Sequence, residues 1–270
     1  MKISQLSLTA LLLVGAASAV AQNPVADLEF GIKGGGTFTH GFTRIPAQRV
    51  ERVGTPGVDV PALENKSNGI GFGYSGGLWA RKNVKAFFVQ AEVTYNRFVL
   101  KQKTDVTLDV NANPAIANAL PVSVLPGLIN ASLNITSESV LQTIDVPILF
   151  GKRFMGGRLQ AYAGPSFIFV QKAEAIRIST GRFNGNSAIN FSETPIPASV
   201  GTTNLLNKFE AGILEVSDFT YALTLGAGFS PINSLAIDVR YTVPVRGVYN
   251  DNNITGFLGI ATVTLAYKLF

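Results

Sequence analysis

The sequence predicts an all-β fold, namely an eight-stranded antiparallel up-and-down transmembrane β-barrel with long external loops. Three observations lead to this prediction. Eight segments alternate large apolar residues with small or polar ones, as strands with one apolar face do. The connections between these segments are short and long in alternation. Only 14% of the residues are charged although 47% are hydrophobic, whereas soluble domains typically contain about 25% charged residues.

The first 21 residues have the features of a secretory signal peptide. An apolar run follows Lys2, and Ala19-Val-Ala supplies the small residues of a cleavage site. The run has about 12 residues, whereas a helix that spans a bilayer needs roughly 20. We therefore predict a signal peptide at residues 1–21 and an outer-membrane β-barrel domain at residues 22–270.

Each predicted strand has one face of large residues and one face of small or polar residues. The third strand is the clearest, because its odd positions from Phe87 to Tyr95 are mostly large and apolar while its even positions include Gln90 and Glu92. The first two strands are weaker and rich in glycine. The eight predicted strands are Leu28–Thr39, Ile70–Arg81, Phe87–Val99, Leu141–Phe154, Leu159–Gln171, Phe219–Ser230, Leu235–Val243 and Phe257–Leu269.

The connections predict how the barrel lies in the membrane. Outer-membrane barrels have tight periplasmic turns and long external loops. An even number of strands then places both the N-terminus and the C-terminus in the periplasm. The predicted turns are residues 82–85, 155–157 and 231–234, and the predicted external loops are residues 40–68, 102–137, 173–217 and the shorter 246–254.

Charged residues on the small-residue face of the strands point into the predicted lumen. An eight-stranded barrel is just wide enough to be filled by side chains, and buried charges are tolerated only in pairs. We therefore predict an internal salt-bridge network that blocks conduction; an ion path is the alternative. The network comprises Lys33, Glu92, Asp145, Asp238 and Arg240.

Three residues depart from the strand pattern. Arg97 lies on the lipid-facing parity, about 23 Å above the periplasmic end of its strand, which predicts a position at headgroup level. Pro147 and Pro165 fall inside predicted strands, where each removes a hydrogen bond between strands. We expect β-bulges at these two prolines.

The sequence contains no convincing catalytic constellation. The single histidine, His40, begins the first predicted loop, and Ser67, Ser137 and Ser139 are its potential partners in a lipid-modifying enzyme. No spacing selects one of these serines, so we expect a solvated loop histidine and no enzymatic activity. One histidine and no cysteine argue against a zinc site, and we predict no metal and no cofactor. The absence of a clustered Lys/Arg run argues against nucleic-acid binding.

The long loops contain apolar and strand-like segments. Pro114–Ile129 is markedly apolar, and we expect it to cap the barrel mouth or to bind a partner. Four segments are expected to extend the hairpins above the membrane, namely Asp105–Val110, Ala131–Thr136, Ala175–Ser179 and Phe209–Val216.

Five motifs occur in the order that is found in a known family. They are Gly31-Ile-Lys-Gly-Gly, Ile144-Asp-Val-Pro-Ile-Leu-Phe-Gly-Lys, Tyr162-Ala-Gly-Pro, Leu225-Gly-Ala-Gly and Asp238-Val-Arg-Tyr. In these motifs the chain resembles the PorT-like outer-membrane β-barrel family of Bacteroidota. The resemblance implies an eight-stranded barrel in the outer membrane, and one branch of the family serves type IX protein secretion.

The C-terminus departs from the pattern of that family, whose chains often end Tyr-x-Phe. Here the chain ends Tyr267-Lys-Leu-Phe270, so the two aromatic residues have opposite parities. Tyr267 and Phe270 are therefore alternative aromatic residues for the signal that the barrel assembly machinery reads.

These observations lead to one functional expectation with three alternatives. We expect a monomeric, non-enzymatic barrel with a filled lumen, surrounded by outer-membrane lipid and lipopolysaccharide. Its external loops would contact secretion or envelope proteins or support membrane integrity. The alternatives are an accessory component of type IX secretion, a small channel and a lipid-modifying barrel enzyme.

Overall fold

The computed structural model describes residues 28–50, 58–109, 129–185, 194–245, 247–251 and 253–269. Nearly all of these residues belong to antiparallel strands, with one short helix, α1 (Lys208–Ala211), and 3-10 turns at Met155–Gly157 and Gly212–Leu214. The strands are β1 (Leu28–Ile45), β2 (Gln48–Val50), β3 (Val58–Val60), β4 (Leu63–Ser67), β5 (Gly71–Val84), β6 (Phe87–Asp109), β7 (Ile129–Phe154), β8 (Leu159–Gly185), β9 (Thr194–Asn204), β10 (Phe219–Ile232), β11 (Leu235–Pro244) and β12 (Thr255–Lys268).

Eight of the strands close into a ring. Each strand pairs with its neighbour in the order β1, β5, β6, β7, β8, β10, β11 and β12, and β12 pairs with β1. Every one of the eight predicted strands overlaps one of these ring strands, so the predicted eight-stranded antiparallel barrel is confirmed. A closed ring leaves no unpaired edge at the level where all eight strands are present.

The register of the pairs determines the dimensions of the barrel. When the pairing is followed from Leu28 once around the ring, it returns to β1 at Phe38, which is ten residues further along. Eight strands with this stagger tilt by about 41° and enclose a barrel with a radius of about 8 Å. One residue therefore advances about 2.5 Å along the barrel axis.

The alternation along each strand separates an apolar outer face from a mostly polar inner face. Glycines allow large inner side chains to pack closely against the wall: a Cβ atom on Gly226 would lie 2.6 Å from the ring of Tyr162, and one on Gly151 would lie 2.3 Å from the ring of Phe88. Large apolar side chains are exposed on the outside, among them Ile32, Leu78, Phe87, Phe150, Leu223, Leu225, Val239, Leu265 and Tyr267.

Aromatic residues on the outer face form two belts. Phe87, Phe154 and Phe229 lie near the end of the barrel where the turns are short, and Tyr74 and Tyr95 belong to the second belt, with their ring centroids 6.3 Å apart. Arg97 pairs with Tyr74 in the register and is ten residues beyond Phe87, which corresponds to about 25 Å along the axis. This separation equals the height of the apolar band of outer-membrane barrels, about 25 Å.

The two ends of the barrel differ. At the short-turn end, two-residue turns join β5 to β6 and β10 to β11, and Lys85 has a positive φ of 56°. At the opposite, extended end, β6, β7 and β8 continue well beyond the ring, and the 26 residues of β7 correspond to about 65 Å along the axis. In this extension β9 pairs with β8, and β4 lies between β1 and β6.

The extension corrects the predicted loop boundaries. The predicted hairpin extensions at Ala131–Thr136 and Ala175–Ser179 are confirmed as strand, and the one at Asp105–Val110 is confirmed as far as Asp109, the last described residue of β6. The prediction for Phe209–Val216 is wrong, because this segment contains α1 and a 3-10 turn, and β9 supplies the added strand instead. Large parts of predicted loops 40–68, 102–137 and 173–217 are therefore strand.

The two strand prolines do not cause the expected bulges. Pro147 pairs with Ser166, and Pro165 pairs with Leu223, in unbroken register. Pro147 interrupts the pairing of β7 with β6, and Pro165 interrupts the pairing of β8 with β7, each only locally. The one register shift between β7 and β8 lies at Gln142/Thr143, away from both prolines. A proline lacks one N–H, which loses one hydrogen bond on one side of the strand without inserting a residue.

Candidate functional site: the lumen and its cap

A buried ion cluster crosses the centre of the lumen. Lys33 on β1, Glu92 on β6 and Arg240 on β11 all point inward, and β6 and β11 are on opposite sides of the ring. Lys33 Nζ donates to the two Glu92 carboxylate oxygens at 3.1 and 3.0 Å. Arg240 donates to the same oxygens from Nη1 and Nη2, each at 2.9 Å. One carboxylate therefore connects three walls of the barrel.

The contacts within this cluster offset the energetic cost of burying its three charged side chains. The Glu92 side chain has 0% exposure, and the Lys33 side chain has 1%. Removing charges from water costs several kcal/mol per ion, and the cost is offset only by close, well-directed contacts. The Arg240 fork meets the carboxylate in a bidentate arrangement, which is the strongest form of this contact.

The other two residues of the predicted network form hydrogen bonds with neutral side chains. Asp238 accepts a hydrogen bond from Gln160 Nε2 at 2.8 Å, and Asp145 accepts one from Thr143 Oγ1 at 2.6 Å. Both carboxylates are buried. Asp238 is two residues from Arg240 on the same face, so its charge offsets the excess of cations in the cluster. The structure thus brings three of the five residues into direct contact and places the other two beside them.

A second ion cluster lies at the short-turn end of the lumen, and the sequence analysis missed it. Glu29 contacts Arg153 at 2.7 Å, Lys268 at 3.1 Å and Arg81 at 3.8 Å. Glu29 lies four residues before Lys33 on β1 and therefore has the same parity. The alternation of the strand could thus have predicted that Glu29 points into the lumen.

Polar contacts connect the two clusters. The Nε atom of Arg81 donates to Gln90 Oε1 at 2.6 Å, and Gln90 in turn donates to Glu92. The Arg81 guanidinium also lies 4.4 Å from the centroid of the Phe88 ring. The lumen is therefore filled with interacting side chains from its short-turn end to the central cluster.

Above the central cluster, short polar side chains leave very little open space. Thr224 and Thr242 share a hydrogen bond of 2.9 Å across neighbouring strands. The cavity at this level has a volume of about 20 Å³ and is lined by residues that include Asn96, Asp145 and Thr242. A cavity of this size holds about one water molecule.

An apolar cap closes the extended end of the lumen. We define the cap as residues Leu205–Val216. Leu205, Ala211 and Val216 are buried against inward side chains of the barrel, namely Phe98, Leu141, Val170, Ala173, Ala175 and Ile260. The apolar residues of the cap thus continue the filling of the lumen beyond the polar layers.

Backbone hydrogen bonds fix the cap in place. The amide of Leu205 donates to Ala173 O, and the amide of Val216 donates to Leu205 O, both at 2.8 Å. The side chain of Asn207 accepts from the amide of Phe209 at the start of α1. Val216 also forms a β-bridge with Tyr249. Burial beside the cap raises the pKa of the Tyr249 phenol. The predicted cap at Pro114–Ile129 lies almost entirely outside the described residues.

His40 is not in a loop, in contrast to its predicted position. It lies on the outer face of β1, because β1 continues to Ile45, and its Nε2 atom is 2.9 Å from the Tyr241 hydroxyl. Its ring centroid is 5.7 Å from that of Phe257. Ser139, one of the three potential partners, is buried on the inner face of the wall.

The other two potential partners, Ser67 and Ser137, also form no hydrogen bond with His40. Ser67 donates to Gly69 O at 3.3 Å, and Ser137 pairs with Gln102 on β6. Among the described residues, no group of three or more His, Cys, Asp or Glu side chains has the geometry of a metal site.

Of the two predicted assembly-signal residues, Tyr267 is described and Phe270 is not. Tyr267 lies on the outer face of β12 with 48% exposure, and it pairs with Ile32 on β1 and Leu235 on β11. Its position at the short-turn end of an outward face suits a residue that meets the lipid boundary.

A closed ring with an apolar outer face and a polar inner face defines a transmembrane β-barrel protein. Residues 20–250 match the family described as outer membrane protein beta-barrel domain, and the chain belongs to this family. Membership of this family places the protein in the bacterial outer membrane. None of the described helices is long and apolar enough to cross a membrane.

Several solved structures of outer-membrane barrels are similar to the chain. Ail, the attachment invasion locus protein of Yersinia pestis, was solved with the heparin analogue sucrose octasulfate; it is 12% identical, over 90% of this chain and 99% of that chain, with a TM-score of 0.33. Neisserial surface protein A is 11% identical, over 89% and 97%, with a TM-score of 0.30. The outer membrane protease OmpT from Escherichia coli is 10% identical, over 90% and 97%, with a TM-score of 0.24. No curated protein matches the sequence.

The central cluster leads to a stability prediction. Glu92→Gln removes the carboxylate that contacts both Lys33 and Arg240, and we expect a loss of about 3–5 kcal/mol in the free energy of unfolding. Asp145→Asn, the matched control, removes a carboxylate without an ion pair and is expected to cost about 1 kcal/mol. Urea unfolding in lipid vesicles, followed by the fluorescence of Trp79, the single tryptophan, measures both changes. Equal losses in the two variants would contradict the central role of Glu92.

Proposed function

We propose that this protein is a non-conducting, non-enzymatic barrel of the outer membrane whose extended end contacts other molecules at the cell surface. The filled lumen supports the absence of conduction. The side chains of Glu92 and Arg240 meet from opposite walls of the barrel. The cavity above them has a volume of only about 20 Å³. Beyond it, the apolar residues of the cap pack against the inward side chains of the strands. A hydrated ion has no continuous path through these three layers.

The environment of His40 supports the absence of enzymatic activity. His40 is exposed on the outer wall and contacts Tyr241 and Phe257, and Ser139 is on the opposite side of that wall. A lipid-modifying enzyme with a serine nucleophile needs that serine within hydrogen-bond reach of its histidine. A phenol in contact with an imidazole at the edge of the apolar band suits anchoring in the membrane interface instead.

The difference between the two ends supports an orientation. Barrels of this class have short turns on the periplasmic side and long connections on the outside. We therefore place the short-turn end and both termini in the periplasm. The extension formed by β6, β7, β8 and β9 then stands outside the cell as a wall of four strands, which offers a surface for contact with other molecules.

A second candidate function is that of an accessory component of type IX secretion. The five motifs shared with the PorT-like family favour it, and they lie in strands β1, β7, β8, β10 and β11. Deletion of the gene in its native host, followed by measurement of proteins exported by type IX secretion, discriminates the two candidates. Loss of export would favour the secretion role, and normal export would favour the general surface role.

The filled lumen predicts an electrically silent barrel. In a planar lipid bilayer, the purified protein is expected to give no steady unitary currents. Replacing cap residues 205–216 with a glycine-serine linker should leave the bilayer silent, because the central cluster still spans the lumen. Steady currents from the wild-type protein would overturn the proposal.

The proposed orientation predicts a pattern of chemical labelling. The chain contains no cysteine, so single-cysteine variants carry one reactive site each. In intact cells a membrane-impermeant maleimide should label Ser199→Cys on the exposed part of β9. It should label Asn233→Cys in the turn between β10 and β11 only after the outer membrane is permeabilised. The reverse pattern would invert the orientation.

A further inference from the structure

Three cations on the outer wall form no ion pair with any residue in the described part of the chain. Arg97 and Lys103 share the outer face of β6, and Lys66 of β4 lies directly opposite Lys103 in the register. Lys66 and Lys103 are exposed, and Arg97 is half-buried. We call these three residues the cation ladder. Like charges on directly opposed residues of an antiparallel pair destabilise that pair, so Lys66 and Lys103 repel each other.

The carboxylates near the ladder are directed to other groups. Glu64, two residues before Lys66, forms an ion pair of 3.3 Å with Arg44. Asp105, two residues after Lys103, accepts a hydrogen bond of 2.6 Å from Asn134. Glu138 lies opposite Lys101, the fourth cation on this face, and offsets its charge. Asp105 offsets part of the charge of Lys103, but none of the three ladder residues forms an ion pair with a described residue.

The other outward cations of the extended end do have partners. Lys172 forms an ion pair of 2.9 Å with Glu174, and the Arg44 guanidinium lies 5.4 Å from the centroid of the Phe42 ring. Arg44 and Lys172 thus have acidic partners at this end of the outer wall. The three ladder residues occur together on two neighbouring strands.

The height of the ladder relates it to the membrane surface. Arg97 pairs with Tyr74 at the second aromatic belt, which lies at the boundary between the apolar band and the headgroups. Lys103 is six residues further along β6, about 15 Å higher along the axis. With the proposed orientation, the ladder extends from the headgroups of the outer leaflet into the layer above them.

We propose that the cation ladder binds the phosphate groups of a phosphorylated glycolipid in the outer leaflet. Arginine matches the geometry of a phosphate with its planar fork, and lysine binds phosphate as a point charge. A glycolipid with phosphates at the headgroup and further acidic groups on its sugars supplies anions over a height of about 15 Å, which the single headgroup of a phospholipid does not. The bound anion would also relieve the repulsion between Lys66 and Lys103.

The inference rests on the proposed orientation, and binding to the purified barrel tests it separately. The barrel is reconstituted in phosphatidylcholine nanodiscs and titrated with a diphosphorylated lipid A that carries its inner-core sugars. Binding is measured by native mass spectrometry. The ladder variant is Arg97→Gln/Lys66→Gln/Lys103→Gln. The matched control, Arg44→Gln/Lys172→Gln, removes two cations that have acidic partners.

We expect the ladder variant to bind the glycolipid at least about tenfold more weakly than the wild type, and the control variant to bind within about twofold. Phosphatidylglycerol and inorganic phosphate should compete poorly with the glycolipid. Equal binding by the ladder variant and the wild type would overturn the proposal, as would equal affinity for phosphatidylglycerol. Because nanodiscs expose both ends of the barrel, a failure here is independent of the orientation measured by cysteine labelling in cells.

Discussion

The carboxylate of Glu92 accepts hydrogen bonds from Lys33 and Arg240 in the middle of the barrel, and the interior depends on this contact. A barrel of eight strands has a lumen that is filled by side chains, so an inward charge must be stabilised by a counter-charge or by hydrogen bonds within the protein. The central cluster satisfies this requirement by joining opposite walls. Gln90 and Arg81 extend the contacts to Glu29 at the short-turn end. The lumen is filled because these charged side chains extend across the narrow ring to reach one another.

The same alternation that directs charges inward covers the outside with apolar residues. The outer face presents aromatic belts about 25 Å apart, and the extended end continues beyond the second belt as strands β6 to β9. A barrel with a closed interior has its free surfaces only on the outer wall and on this extension. The cation ladder lies where these two surfaces meet, which connects the proposed lipid contact to the proposed role at the cell surface.

Strand parity was sufficient to predict the ring and the inward residues, because one face must be apolar and the other polar. It did not predict which inward residues meet. That depends on the stagger of ten residues around the ring, and Glu92 and Arg240 are 148 positions apart in the chain. The cap was missed because a four-residue helix has no detectable periodicity. His40 was assigned to a loop because the glycines and threonines before it weaken the alternation, whereas pairing with β12 continues the strand to Arg44.

The central claim is that the charges of Lys33, Glu92 and Arg240 are tolerated only because they compensate one another. The free energy of unfolding of the triple variant Lys33→Met/Glu92→Met/Arg240→Met, compared with Glu92→Met alone, tests this claim most directly. Compensation predicts that the triple variant is more stable than the single variant, because it also removes the two cations that Glu92→Met leaves without the carboxylate between them. A triple variant that is less stable than Glu92→Met would contradict the account.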